Sequence, residues 1–434
     1  MRDLLIASIV FGLLPFILKR PFWGILLMAW LGYMNPHRLC YGFMLSMPVV
    51  QIVAITTLIG MLMSKEPKRM VWSPEIILLI VFIGWMGITT TQAFFFDEAA
   101  TQYIKVIKIQ VLTFMTLVML TTQEKVRQFV WVIVLSLGFY GVKGGLFTIA
   151  NGGSYHVQGP STTFIAGNNE LALALVMTIP LMRYLHLQEK NHIVKLGLMV
   201  GMVLTTIATI GSQSRGALVA LTLTGAFFWL KGRSKIRTGL FIAGGVVVIL
   251  SIMPDSWYQR MSTIETYEQD ASALGRLNAW STAWNVAKDR FFGGGFEMFQ
   301  PSVFQIYAPE TFRVHDVHSI YFQILGHHGF IGLFMFLGLL LLTWFTCRAT
   351  IRLSKKNPEH AWARDLATMI QVSLVGFMTA GAFLGLAYFD YFYHLVALAV
   401  VLHHLVKAST LVQFNAVHSG LYPTSSVLNR GAGR

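Results

Sequence analysis

The chain has 434 residues, 55% of them hydrophobic and only 12% charged, with a mean hydropathy of +0.61. A soluble domain of this size could not hide that much apolar surface, whereas lipid can solvate it. The net charge of +14 is no nucleic-acid footprint, because the basic residues cluster at the ends of apolar segments, as the positive-inside rule describes.

In chain order, two short apolar segments near 4–18 and 22–34 come first, joined by Lys19 and Arg20. They read as either an extra span or a half-length, broken pair. The run after Arg2 has no small-residue cleavage site, so no removable signal peptide is expected. Segments long enough to cross a bilayer follow near 45–63, 75–92, 104–121, 127–150, 167–185, 194–211, 214–230, 238–253, 318–346, 366–386 and 388–406. Assigning the clusters Lys65/Lys68/Arg69, Lys125/Arg127, Lys190/Lys195, Lys231/Arg233/Lys235/Arg237 and Arg348/Arg352/Lys355/Lys356 to the cytoplasm makes the segments alternate. The expected fold is an all-α polytopic membrane protein of about 12 transmembrane helices, or 13 by the N-terminal alternative. Its parts are N-terminal membrane helices over 1–253, a large outward loop over 254–317, C-terminal membrane helices over 318–406 and a cytoplasmic tail over 407–434. Cys40 and Cys347 then lie on opposite sides, which excludes a disulfide between them.

The loop holds eight acids and five bases, so it is net negative in a basic chain. Leu274, Leu277, Trp280, Trp284 and Ala287 follow Ser272 at helical spacing, which predicts a capped helix lying at the bilayer interface. Gly293-Gly294-Gly295 ends it.

Three polar constellations fall on the outward side. Gly211-Ser-Gln-Ser-Arg215-Gly216 puts an arginine at an outer mouth, against the positive-inside trend. Its guanidinium suits phosphate oxygens, and the alternative is a side chain snorkelling to headgroups. Arg276 precedes Trp280 by one turn and faces the same compartment, or belongs to an ordinary amphipathic helix with solvated charges. His315-Asp-Val-His318-Ser-Ile-Tyr321 opens the following span, where a histidine can act as a general base or bond to a neighbouring carbonyl. The i, i+3 spacing of His315 and His318 lacks the acidic residues that would complete a metal site, and none is expected. His327 and His328 lie deeper and read as buried structural or partner-facing groups rather than part of the same site. Asn35-Pro36-His37-Arg38, Gly159-Pro160 through Asn168-Asn169-Glu170, and Tyr388-Phe389-Asp390 reach the same face with weaker signals. There is no Walker A loop and no paired-carboxylate DxD site, which argues against a nucleotide-linked donor.

Taken together, Ser214-Arg215-Gly216, Arg276 with Trp280 and Gly293/Gly295, and His318-Ser319-x-Tyr321-Phe322 running on to Leu325, His327, Gly329, Gly332 and Leu333 resemble the O-antigen ligase and polymerase superfamily. The match covers roughly 159–345. Ser319 and His327 depart from the Asn and Glu of that pattern. The His-Ser variant, with Asn35-Pro36-His37-Arg38, resembles an exosortase-associated branch of O-glycosylation ligases.

The resemblance implies a fold like that of GT-C glycosyltransferases and an enzyme of the bacterial inner membrane with its site facing the periplasm. It would transfer a glycan from undecaprenyl pyrophosphate to a sugar hydroxyl of lipid A-core, inverting and without metal or other cofactor. Arg215, Arg276 and His318 would be catalytic, with Ser214, Gly216, Trp280, Tyr321, His315, Asn168 and Arg38 contacting pyrophosphate, glycan or acceptor. Besides these substrates, the expected partners are membrane lipids, and the expected state is a monomer. A protein O-oligosaccharyltransferase or an O-antigen polymerase would use the same donor. A lipid-linked glycan transporter would instead carry inverted halves and charges near the bilayer midplane, and the polar residues read as confined to one face and one loop.

Overall fold

Helix starts are set by short polar residues that accept backbone N–H groups left over at a first turn. Ser73, Thr122 and Asn191 each do this, accepting from Ile76, Lys125 and Ile193. The computed structural model describes residues 1–231, 236, 239, 244, 253–255, 257–258, 271–355 and 357–418. Most of the expected span at 238–253, part of the outward loop and the end of the tail lie outside the described residues.

The described helices are α1 (Arg2–Lys19), α2 (Phe22–Tyr33), α3 (Val49–Met63), α4 (Pro74–Thr91), α5 (Phe96–Met119), α6 (Gln123–Ala150), α7 (Asn168–Gln188), α8 (His192–Gly211), α9 (Arg215–Lys231), α10 (Ala271–Asp289), α11 (Pro301–Tyr307), α12 (Ile320–Ser354), α13 (Ala361–Gly381) and α14 (Asp390–His418). Among the described residues, seven are long and apolar enough to cross a bilayer: α4, α5, α6, α7, α8, α12 and α14. The others fall short in length (α2, α3, α9) or carry more polar residues (α1, α13), as packing against neighbouring helices permits. The chain is an all-α, multi-pass membrane protein. Helix α7, the most buried of the seven, packs against α6, α8 and α13 at the centre.

Ion pairs collect at one end of this bundle. Lys125 meets Glu66 at 2.7 Å, Arg127 meets Glu189 at 3.1 Å, and Gln188 donates to Asp365 at 3.1 Å. The Lys19–Arg20 turn belongs to this basic end, since Phe22 N–H reaches Glu66 at 3.3 Å and the Ile17 carbonyl lies against Gly60. At the other end of α1, Asp3 accepts from Gly42 and Met44. The two N-terminal segments are therefore an antiparallel helix pair, α2 being the half-length member.

The described part of the 254–317 loop from residue 271 on is built into the bundle. Helix α12 breaks at Gly329 (φ 66°), which leaves carbonyls without intrahelical donors at a depth where water is scarce. Loop backbone fills them: Gly294 N–H donates to Gly326 O at 2.8 Å and Gly295 N–H to His327 O at 2.9 Å. Trp85 adds its indole N–H to His328 O at 2.9 Å. As expected, His327 and His328 are buried; both bond the Tyr388 hydroxyl, and His328 also bonds Thr89. Helix α10 forms where the spacing predicted it, but its buried face is Asn278, Ala279, Thr282, Ala283 and Val286, small residues that let it lie close on α12. Leu277 and Trp284 point outward, free to meet the interface.

Two sequence readings need correcting. Residues 382–389 are a loop between α13 and α14, so the segments expected near 366–386 and 388–406 end and begin elsewhere: α13 ends at Gly381, where Ile320 of α12 leaves no room for a side chain. Polar residues are also not confined to one face and one loop, because Lys105 and Lys108 stand exposed in the middle of α5.

Gly295 (φ 78°) would bring a Cβ to 2.2 Å from the Ala93 side chain. Gly295→Ala should cost roughly 2–4 kcal/mol from left-handed strain plus overpacking. In detergent its thermal midpoint should drop by several degrees, while Gly84→Ala, which meets nothing within 4 Å, should leave it unchanged or slightly raised.

Candidate functional site

The stretch Ser212-Gln213-Ser214 turns sharply from α8 into α9, with Gln213 in the left-handed region (φ 55°). Gln213 is held there by its amide, which donates to Gly153 O at 2.9 Å and pairs with His156 at 2.9 Å. Asn168, opening α7, donates to Ser212 O at 2.8 Å. Ser214 then caps α9, accepting from Ala217 N–H at 3.2 Å. Arg215 is thereby fixed as the first residue of a helix.

A second segment is anchored from α10. Trp280 donates its indole N–H to Val317 O at 2.7 Å and stacks on Phe322 with ring centroids 4.9 Å apart. Asp316 accepts from Val317 N–H at 2.7 Å. Between these ties and the start of α12, His318 adopts φ 39°, a conformation worth about 1–3 kcal/mol of strain for such a residue. Tyr321 ties α12 to α13 by donating to Met378 O at 2.9 Å.

These segments close a cavity of about 450 Å³ lined by Arg215, Arg276, His315, His318, Ser214 and Gly216. Asn169, Gln213, Ala217, Ser272, Ala380, Phe383 and Leu384 complete its wall. The three residues singled out as catalytic candidates thus face one space. Of the other candidates, Ser214, Gly216 and His315 line it as well. Trp280, Tyr321 and Asn168 do not; they hold the backbone of Val317, Met378 and Ser212, each one or two residues from a lining residue. Arg38 lies elsewhere, in the connection after α2, donating to Leu45 O at 3.2 Å.

The electrostatics favour an anion. The N-terminal turns of α7, α9 and α10 contribute residues to the wall and His318 stands just before the cap of α12, so four helix starts present the positive ends of their dipoles there, against one negative end at Ala380 in the last turn of α13. Two guanidiniums and two imidazoles join them, and the lining residues include no carboxylate among the described residues. Burial pushes the His318 imidazole below its usual pKa; Asp316, 3.9 Å from Nδ1, works to raise it, and Arg276 and His315 lower it further. Burial thus favours the neutral form of His318. The nearby carboxylate favours the proton on Nδ1, leaving Nε2 basic.

Phe383 and Leu384 went unnoticed in the sequence because 366–406 is almost uninterrupted in hydropathy; Gly381 and Gly385 were the available signal for a loop. Asn169 and Gln213 sat inside stretches already singled out, but an amide has no pattern that separates wall from brace.

Inorganic pyrophosphate should bind this cavity and protect the protein against heat. Arg276→Gln should weaken that binding by about 10- to 100-fold, the worth of a charge-assisted pair. Calorimetric titration in detergent measures it.

Residues 1–190 match a family model of unknown function, covering α1 to α7 and so Asn168 and Asn169. No curated protein matches the chain. A second model, described as O-Antigen ligase, matches residues 200–337, the stretch that supplies Arg215, Arg276 and His318. Over residues 200–337 this multi-pass chain thus matches the O-antigen ligase family model, which supports glycosyl transfer of the ligase or polymerase type.

Proposed function

We propose that the protein transfers a glycan from a prenyl diphosphate, undecaprenyl pyrophosphate in the bacterial inner membrane, to a sugar hydroxyl of lipid A-core at the periplasmic face. The observation that carries this is the meeting of Arg215, Arg276 and His318 in one cavity at four helix N-termini. In the reaction the acceptor oxygen attacks the anomeric carbon, and the bond from that carbon to the diphosphate oxygen breaks. The electron pair leaves with the diphosphate, and the hydroxyl proton goes to Nε2 of His318. Attack opposite the leaving group inverts the anomeric centre. Charge on the leaving diphosphate grows along this path, and guanidiniums held in advance stabilise it where it develops. His318, kept neutral by burial, is in the form that accepts a proton. Two guanidiniums supply the positive charge that a metal ion would otherwise bring, so the reaction is expected to proceed with EDTA present.

The test offers purified protein a lipid-linked glycan together with lipid A-core, a pilin-like protein or a second lipid-linked glycan as separate acceptors. Product is expected with lipid A-core. Product only with one of the others would reassign the enzyme to protein glycosylation or polymerisation. Arg215→Ala and Arg276→Ala should each lose about 10²–10³-fold in kcat, and His318→Ala about 10²–10⁴-fold. Full activity of the Arg215→Ala/His318→Ala double variant would reject the assigned roles.

A pH profile gives a further check. Activity needs neutral His318, so it should fall as the pH drops through a value below the ordinary 6.5 or so of a histidine. Asp316→Asn removes the one influence that raises this pKa, so the acidic limb should move to still lower pH.

A further inference from the structure

Helix α5 presents an exposed stripe of Thr101, Ile104, Lys105, Lys108 and Val111. At 1.5 Å per residue, Lys108 stands roughly 18 Å from the start of the helix and 16 Å from its end. Lys105 is one turn nearer the start. Neither has an ion-pair partner among the described residues. Lysines within a membrane helix ordinarily face the bundle interior or a water-filled cavity, or sit close enough to an end to snorkel. Lys108 does none of these, since either interface is more than twice the reach of a four-methylene stem. The proposed transfer reaction makes no use of the pair, because α5 contributes no residue to the cavity of Arg215 and Arg276.

We infer that the Lys105/Lys108 face of α5 docks a transmembrane helix of another protein, one that carries a carboxylate at mid-bilayer depth. Charge complementarity selects that occupant. A lipid headgroup stays at the interface, whereas a carboxylate on a neighbouring helix stands at the depth of Lys108. Ile104 and Val111, 53% and 45% exposed on either side of the pair, would close over the contact and keep it dry. A second copy of this chain does not fit. The same face would bring lysine against lysine, and the acids of the described membrane helices all lie in their first two turns.

The test uses the full chain in phosphatidylcholine vesicles, with a dye on the chain and another on a synthetic polyleucine helix bearing two central glutamates. Energy transfer is expected to report association about tenfold tighter than with the glutamine version of the helix. Lys105→Leu/Lys108→Leu should abolish that preference while leaving glycosyl transfer intact, since a lipid-facing leucine suits the bilayer. Equal association of the glutamate and glutamine helices would overturn the inference. So would a preference that survives in the double variant. Loss of the lysine-dependent preference in vesicles containing phosphatidylglycerol would assign the pair to anionic lipid instead, and would also overturn it.

Discussion

Like charges held together at the edge of a low-dielectric bundle repel each other, and that constraint shapes the described site. Arg215 and Arg276 enter one cavity beside two histidines and four helix starts, and no carboxylate lines it among the described residues. Such a concentration of positive potential draws an anionic ligand toward the cavity. The fold holds this arrangement by tying backbone rather than side chains. Gln213, Asn168 and Ser214 lock the turn before Arg215, and Trp280 and Asp316 lock the irregular segment before His318. Rigid placement of donors is what electrostatic catalysis asks of a protein, because donors already in place need not reorganise as charge develops.

The same economy explains the outward loop. A glycine break in α12 exposes carbonyls, and the Gly293–Gly295 backbone satisfies them while fixing the far end of α10. Helix α10 carries Arg276 and the Trp280 anchor, so the clamp at Gly329 and the geometry of the cavity are mechanically linked. The buried His327–Tyr388–His328 cluster joins this clamp to the 382–389 loop, which brings Phe383 and Leu384 to the wall. Residues far from the chemistry thereby set its dimensions.

Hydropathy and the placement of basic residues were enough to read the helical membrane architecture and the common end shared by the basic clusters, because lipid imposes both. Arg215, Arg276 and His318 were legible as candidates because each breaks a local trend: a cation at an outer mouth, a cation in a loop helix, an imidazole at a helix entrance. Their meeting was not legible in composition or spacing; it depends on how three separated segments pack. Trp280, Tyr321 and Asn168 brace backbone beside the cavity, a role composition does not reveal, since a hydrogen-bonding side chain near a site has the same sequence signature whether it braces or binds. Lys105 and Lys108 were overlooked because a helix with strongly apolar neighbours still scores as a span.

The central claim is that both guanidiniums engage one diphosphate. A structure of the protein with a bound prenyl diphosphate tests it most directly. The account predicts oxygens of the diphosphate within hydrogen-bonding distance of both Arg215 and Arg276, with Nε2 of His318 facing the space an acceptor would occupy. A diphosphate bound away from this cavity, or touching neither arginine, would contradict it.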